Sequence, residues 1–428
     1  MSSQVLNELE ARGLIYQCTD REGLARLLDE SPQAFYIGFD PTADSLHVGS
    51  LIPIIVMMHF QRAGHRPIAI LGGGTAMVGD PSGKTEMRKM LTLEQIAENG
   101  RGIAAQLARF LDFSDGGCRL INNADWLAEL KYVDFLREIG RHFSVNRMLT
   151  AESYRQRLET GLSFIEFNYM LLQAYDFHVL CRDENCRLQM GGQDQWGNIV
   201  AGIDLIRRIQ SKEAFGVTFP LLTTSSGEKF GKTAGGAVWL AAERTPVLDF
   251  YQFWRNCEDS EIEKLLSFFT FLPLDEVKAL GQLTDRGINR AKEILAYEVT
   301  ALVHGHEAAA TAFKTAVSRF GSADPENRIP TSSRIREVTA SAAAEAVELP
   351  TLKIEATELE SGLTLVDLFI RSGLAKSKGQ VRRLIDQGGA YLNDQRIAAD
   401  RPLSPEDFSD GKLMIKAGKK RFYQVILV

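Results

Sequence analysis

The sequence predicts an α/β protein: a parallel sheet wrapped by helices, then an all-helical stretch, then a small α+β module at the C-terminal end. Three patterns carry that reading. Over residues 1–220, short β-rich apolar runs (AFYIGFD, RPIAILGGG, CRLQMGGQDQ and GVTFPLL) alternate with amphipathic helical stretches, as expected of parallel strands joined by crossing helices. From Val247 to Phe320 apolar residues return every three or four positions, as in DSEIEKLLSFFTFL and RAKEILAYEVTALVHG, which is the helical period. Residues 362–428 give short helices and then strands, ending in KLMIKAGKKRFYQVILV, enough chain for a compact module.

Two connections join these parts. Residues 221–246 link the sheet domain to the helical domain at 247–320. Residues 321–361 contain Ala, Ser, Glu and three prolines without a sustained apolar stripe, the composition of a linker.

A chain of 428 residues is too long for one ordinary domain. With 45% hydrophobic and 24% charged residues it is balanced as a globular protein is, which excludes global disorder. The most apolar run, Leu51 to Met58, is far shorter than a bilayer span. The N-terminus is acidic and helically periodic, without the basic and apolar regions of a signal peptide. A cytoplasmic protein without a membrane partner is expected. Five scattered cysteines make no disulfide framework. His178, Cys181 and Cys186 are the one cluster of soft ligands, but a fourth partner for zinc is missing, and the non-metal reading is preferred.

Net charge is −6, so any nucleic-acid binding has to come from a local patch. The stretch from Leu363 to Val428 supplies one, with 12 Lys and Arg against 7 Asp and Glu.

In parallel α/β sheets, ligands bind at the carboxyl ends of the strands. Strand ends place GFDPTADSLHVGS, GGGTAMVGDPSGK and GGQDQWGN on one rim. The first runs from a strand through a Pro-containing turn into the helix LIPIIVMMHF, whose N-terminus suits a phosphate, with Gly49 allowing close approach and His47 facing it. Alone, that tetrapeptide reads as an ordinary helix start. Lys229-Phe-Gly-Lys-Thr233 follows the strand GVTFPLL after a Ser/Gly loop; its two lysines would fold over a triphosphate and neutralise charge on departing pyrophosphate. In Tyr169-Met-Leu-Leu-Gln173-Ala-Tyr-Asp176 the polar residues stand four and three apart, which puts all three on one helix face aimed at a common ligand.

Together, HVGS and KFGKT resemble the paired signatures of class I aminoacyl-tRNA synthetases, HIGH and KMSKS. The strings GFDPTADSLHVGS, GDPSGK, NYMLLQAYDF, GGQDQWGNI and KFGKT, in that order, resemble the bacterial tyrosyl-tRNA synthetases over nearly the whole chain. The resemblance implies a Rossmann-like catalytic sheet, a helical domain on the anticodon side of tRNA and a small RNA-binding C-terminal module. It implies Tyr36 and Asp176 at the phenol hydroxyl of L-tyrosine, and Asp80, Tyr169 and Gln173 at its ammonium. Gly38, Asp40, Thr42, Gly49, Gly192 and Asp194 fall on the ATP side. Gln195 falls on the ribose side and also counts among the tyrosine contacts. His47, Ser50, Lys229, Lys232 and Thr233 would surround the phosphates, with Lys84 and Arg88 as further cations for pyrophosphate. Ser50 stands where the family often has a second His. Lys376, Lys378, Arg382, Arg383, Lys419, Lys420 and Arg421 would contact RNA. ATP with Mg²⁺ and tRNA(Tyr) are the implied co-substrates, with no tightly bound cofactor. A homodimer is implied as well, and the stretch around Phe164 is read as part of its interface. The sister tryptophanyl enzymes share the core; Tyr36, Asp176 and the KFGKT variant point to tyrosine. A buried polar pair that phenylalanine would leave unpaired makes an editing domain unnecessary, an asymmetry for which tyrosyl enzymes are themselves the standard example.

Overall fold

The computed structural model describes residues 3–82, 91–223, 230–233, 236–344, 351–375, 377–393, 395–408, 411–418 and 421–427. It divides into two compact units, residues 1–309 with 331–333, and residues 310–330 with 334–428.

The first unit is built on a six-stranded sheet, β1 (Gln17–Cys18), β2 (Ala34–Phe39), β3 (Arg66–Leu71), β4 (Arg119–Asn122), β5 (Leu188–Gly192) and β6 (Phe215–Phe219), followed in the chain by the short hairpin strands β7 (Lys232–Thr233) and β8 (Gly236–Ala237). The spatial order is β1-β6-β5-β2-β3-β4, and all neighbours are parallel except β1, which runs antiparallel to β6. The four apolar runs are thus β2, β3, β5 and β6. In β2 every residue except Gly38 is buried, as expected of a strand covered on both faces. The chain leaves β2 on one side toward β3 and β4, then returns to the other side as β5. That reversal opens a crevice at the carboxyl ends of β2 and β5.

The helix Leu51–Arg62 follows β2 and buries Leu51, Ile52, Ile54 through Phe60. It is apolar all round because it lies inside the unit, and Pro53 sits in its first turn, where a missing N–H costs little. The helices Val247–Arg255, Ile262–Phe269, Leu274–Gly281 and Asp285–His304 pack within the same unit around Phe250, Tyr251, Trp254 and Phe269, all fully buried. Arg12, at the end of the first helix, donates to the carbonyls of Ser267, Thr270 and Leu272 and ties the N-terminus to that layer.

Helix Glu152–Thr160 and the short helix Phe164–Phe167 are joined by Arg157 and Glu166, 2.9 Å apart with side chains 3% and 4% exposed. Glu166 also accepts from the hydroxyl and backbone N–H of Ser163. A buried charge stripped of its partner is costly, so Glu166→Leu is expected to lose about 3–5 kcal/mol, read as a lowered midpoint in urea unfolding.

In the second unit β9 (Thr351–Ile354), β10 (Ala390–Leu392), β11 (Gln395–Arg396), β12 (Lys412–Ala417) and β13 (Arg421–Leu427) form a sheet in the order β11-β10-β12-β13-β9. Helices Leu365–Arg371 and Lys378–Asp386 contribute Leu368, Phe369 and Val381 to a core shared with Ile415 and Val425. Part of the stretch read as a linker is ordered: it holds the helix Ile335–Ala344 and β9. β9 is a four-residue edge strand in which only Ile354 is buried, too short for alternation to reveal it.

Candidate active site

A cavity of about 550 Å³ opens at the crevice between β2 and β5. It gathers fourteen of the residues singled out from sequence: Tyr36, Gly38, Asp40, Thr42, His47, Gly49, Ser50, Asp80, Tyr169, Gln173, Asp176, Gly192, Asp194 and Gln195. Lys84, Arg88 and Lys229 lie outside the described residues. Lys232 and Thr233 form the first strand of a two-stranded hairpin with Gly236–Ala237.

At the floor, Asp176 is 3% exposed. It accepts from Asn123 Nδ2 (3.0 Å) and Trp126 Nε1 (2.7 Å). Burial raises its carboxyl to about 7, against the two hydrogen bonds, which pull the other way, and with a smaller push from Asp40. The Tyr36 hydroxyl is buried and has no hydrogen-bond partner among the described residues. Its own pKa is driven well up, by burial first and by the Asp176 charge second. Orphaned buried hydroxyls are costly, and a group that both donates and accepts would satisfy Tyr36 and Asp176 together.

Further out, Asn123 Nδ2 also reaches Thr75 Oγ1 (3.0 Å), and Thr75 donates to Asp40 Oδ1 (3.0 Å). Tyr169 donates to Asp40 Oδ2 (3.3 Å). Gln195 Nε2 donates to Asp80 Oδ2 (2.8 Å), and Asn198 Nδ2 reaches both Gln173 Oε1 and Gln195 Oε1 (3.1 Å each). Three helix-face residues therefore converge on one space, as their spacing predicts. Four carboxylates, Asp40, Asp80, Asp176 and Asp194, line the cavity, and no Lys or Arg does so among the described residues. Such a wall suits an ammonium and leaves phosphate charge to the rim.

At the rim, His47 Nδ1 accepts from Gly49 N (3.0 Å). In the neutral ring this fixes the proton on Nε2, the ring nitrogen that can donate to an anion. Gly38 presents bare backbone to the cavity: a Cβ placed there meets no atom within 4 Å. Gly38→Ala is therefore expected to leave thermal stability unchanged while raising KM for ATP about tenfold, the cost of one methyl in a fitted site; an unchanged KM would remove Gly38 from the nucleotide side.

Asn123, Trp126, Thr75, Asn198 and Trp239 also belong to the site. The string NADW follows β4, whose four residues are mostly exposed, so no apolar run marked it as a strand end. The zinc alternative has no support in the fold: Cys181 and Cys186 are packed in a hydrophobic cluster with Phe177 and Ile206, and His178 Nδ1 pairs with Gln210 Nε2.

In the second unit Lys378 pairs with Asp367 (3.0 Å), Arg383 Nε donates to the carbonyl of Gly379, and Arg382 is exposed beside them. Lys376, Lys419 and Lys420 lie outside the described residues, and Arg421 opens β13.

Residues 28–321 match the family described as tRNA synthetases class I (W and Y), and residues 343–425 match the tyrosine–tRNA ligase SYY-like C-terminal domain. The chain is 53% identical to a tyrosine–tRNA ligase of Desulfosudis oleivorans, over 99% of both chains, and 52% identical to that of Clostridium beijerinckii, again over 99% of both. A C-terminally truncated mitochondrial tyrosyl-tRNA synthetase of Aspergillus nidulans superposes with a TM-score of 0.65 at 30% identity, covering 73% of this chain and 93% of that one. A tryptophanyl-tRNA synthetase of Encephalitozoon cuniculi has the same fold, with a TM-score of 0.53 at 13% identity over 72% of this chain and 87% of that one.

Proposed function

Because the chain belongs to the class I tRNA synthetases, and within them to the tyrosine–tRNA ligases, we propose that its β2–β5 cavity binds L-tyrosine and ATP, forms tyrosyl-adenylate, and passes tyrosine to the 3′-terminal ribose of tRNA(Tyr). The observation that carries the amino-acid choice is the Tyr36 hydroxyl, buried without a partner among the described residues in a cavity shared with the Asp176 carboxylate. A phenol hydroxyl donates to the carboxylate and accepts from Tyr36; a phenyl ring does neither, and an indole N–H cannot accept. Asp80, Tyr169 and Gln173 suit the ammonium.

The reacting carboxylate of tyrosine is ionised at neutral pH and needs no general base. It attacks the α-phosphorus of ATP, and pyrophosphate leaves; ATP enters as its magnesium complex. Catalysis then reduces to positioning and charge stabilisation, by His47 Nε2, Ser50 and the N-terminal end of helix Leu51–Arg62 on one side and Lys229, Lys232 and Thr233 on the other. Lys84 and Arg88 are further cations for pyrophosphate. In the second step a ribose hydroxyl of tRNA attacks the activated carbonyl and AMP departs.

A second cavity, of about 750 Å³, shares Asp194 and Leu221 with the first and is lined by Arg141, Arg147 and Arg208. Glu152, Asp194 and Asp204 line it too, and Arg147 pairs with Asp204, so its charges balance and it offers no net positive charge to the phosphates of tRNA. Lys376, Lys378, Arg382, Arg383, Lys419, Lys420 and Arg421 serve tRNA from the second unit. Exposed apolar side chains, Val133 (73%), Phe164 (69%) and Tyr132 (58%) among them, support a homodimer through this part of the first unit. Five free cysteines and the absence, among the described residues, of any helix able to cross a membrane accord with a cytoplasmic enzyme.

The test is ATP–pyrophosphate exchange without tRNA. Exchange is expected with tyrosine and not with phenylalanine or tryptophan; exchange with tryptophan would overturn the assignment of Tyr36 and Asp176. Undiminished exchange after Lys229→Ala and Lys232→Ala together would remove the second signature from the phosphate site.

A further inference from the structure

The two signature segments are joined by a third strip of chain, residues 238–245. Val48 N donates to the carbonyl of Val238 (3.0 Å), and Leu240 N to that of Leu46 (2.8 Å), so His47 and Trp239 face each other across an antiparallel bridge. On the other side Val238 N donates to the carbonyl of Gly231 (2.9 Å), inside the lysine-bearing loop. The strip is also held by side chains. Ala241 N donates to Ser45 Oγ (3.2 Å), and the buried Gln106 holds both Ser45 Oγ and Leu46 N.

Trp239 stands at the centre of this seam and lines the substrate cavity. Its ring meets the His47 imidazole edge-on, with 6.2 Å between centroids and 73° between planes. The Arg244 guanidinium lies over the indole, 3.7 Å from its centroid, and the same group donates to Asp44 Oδ1 (2.9 Å). Asp44 precedes His47 by three residues. The arginine therefore connects the indole back to the segment that carries the histidine, through a cation–π contact at one end and an ion pair at the other.

We propose that Trp239 is a positioning residue for adenylate formation: braced by Arg244 and Asp44, it sets the plane of the His47 ring at the phosphates and fixes the spacing between the two signatures. The Gly49 hydrogen bond to Nδ1 chooses the tautomer of His47, and the indole edge bears on the tilt of the ring about that bond. The inference rests on the placing of His47 at the phosphates of ATP.

The experiment is pyrophosphate exchange by the full chain, with kcat and KM for ATP measured at saturating tyrosine and KM for tyrosine at saturating ATP, for Trp239→Leu, Trp239→Phe and Arg244→Met, each in the His47 and His47→Ala backgrounds. Trp239→Leu is expected to lower kcat about tenfold with KM for tyrosine unchanged, and Trp239→Phe to restore most of it, since a phenyl ring keeps both contacts. In the His47→Ala background the Trp239→Leu loss should shrink to about twofold or less, because interacting residues are non-additive. Arg244→Met, at a partly exposed side chain, should fold where Trp239→Leu fails to, and should lose about threefold only when His47 is present. Equal losses in both backgrounds overturn the positioning role. A His47→Ala protein that exchanges at the full rate overturns the phosphate site itself, and the proposal with it.

Discussion

The Asp176→Asn protein is expected to lose about 10- to 100-fold in kcat/KM for tyrosine at pH 8, the worth of a hydrogen bond to a charged acceptor. Activation of phenylalanine should change little, so discrimination narrows. Asp176 offers both carboxylate oxygens to donors, Asn123 Nδ2 and Trp126 Nε1. Asparagine replaces one of those oxygens with an NH₂ group, which turns a donor toward a donor. In the unsubstituted protein, kcat/KM for tyrosine should also fall as pH drops through about 7, where the buried carboxyl takes up its proton and stops accepting from the phenol. That step should vanish in Asp176→Asn; its persistence would assign the titration elsewhere. The effect on stability has a definite sign. The folded state holds this proton up to about 7, whereas the unfolded carboxyl loses it in the usual carboxylate range. Stability from this group is therefore greatest at low pH, falls as pH rises toward 7, and reaches its full cost above.

Gly231→Ala should be at least as damaging, by a different route. Gly231 has φ of +86°, a conformation that costs an L-residue about 1–2 kcal/mol. Its added Cβ would also stand 2.2 Å from Val48 Cγ2. Something must shift, and both neighbours are signature segments. Exchange is expected to fall about 100-fold, the size of effect seen when one preorganised contact to a developing anion is lost, while tyrosine binding, measured by equilibrium dialysis, stays the same. A loss of tyrosine binding in parallel would mean that the substitution disrupts the whole cavity.

Much of the catalytic unit is legible in sequence because its strands are buried on both faces. β2, β3, β5 and β6 read as continuous apolar runs, and three of them, β2, β3 and β5, end in the turns that carry site residues. The helix face of Tyr169, Gln173 and Asp176 is legible for a similar reason: three polar residues at helical spacing in an apolar segment need a common partner. β4 is not legible, since its residues are largely exposed, and with it Asn123 and Trp126 go unseen although they hold Asp176. Trp239 escapes because its role depends on the meeting of Leu46–Val48 with Val238–Leu240, segments far apart in the chain. The second unit shows the same limit, in that β9 becomes a strand only through its pairing with β13.

That pairing has a consequence for biosynthesis. β13 lies between β12 and β9, so the sheet of the second unit cannot close until residues 421–427 have cleared the ribosome. The catalytic unit is complete in the chain well before then and can fold as it emerges. A message truncated before Arg421 would yield a finished catalytic unit followed by a module in which β12 has an open edge and β9 no partner strand, a species primed for aggregation and for quality control.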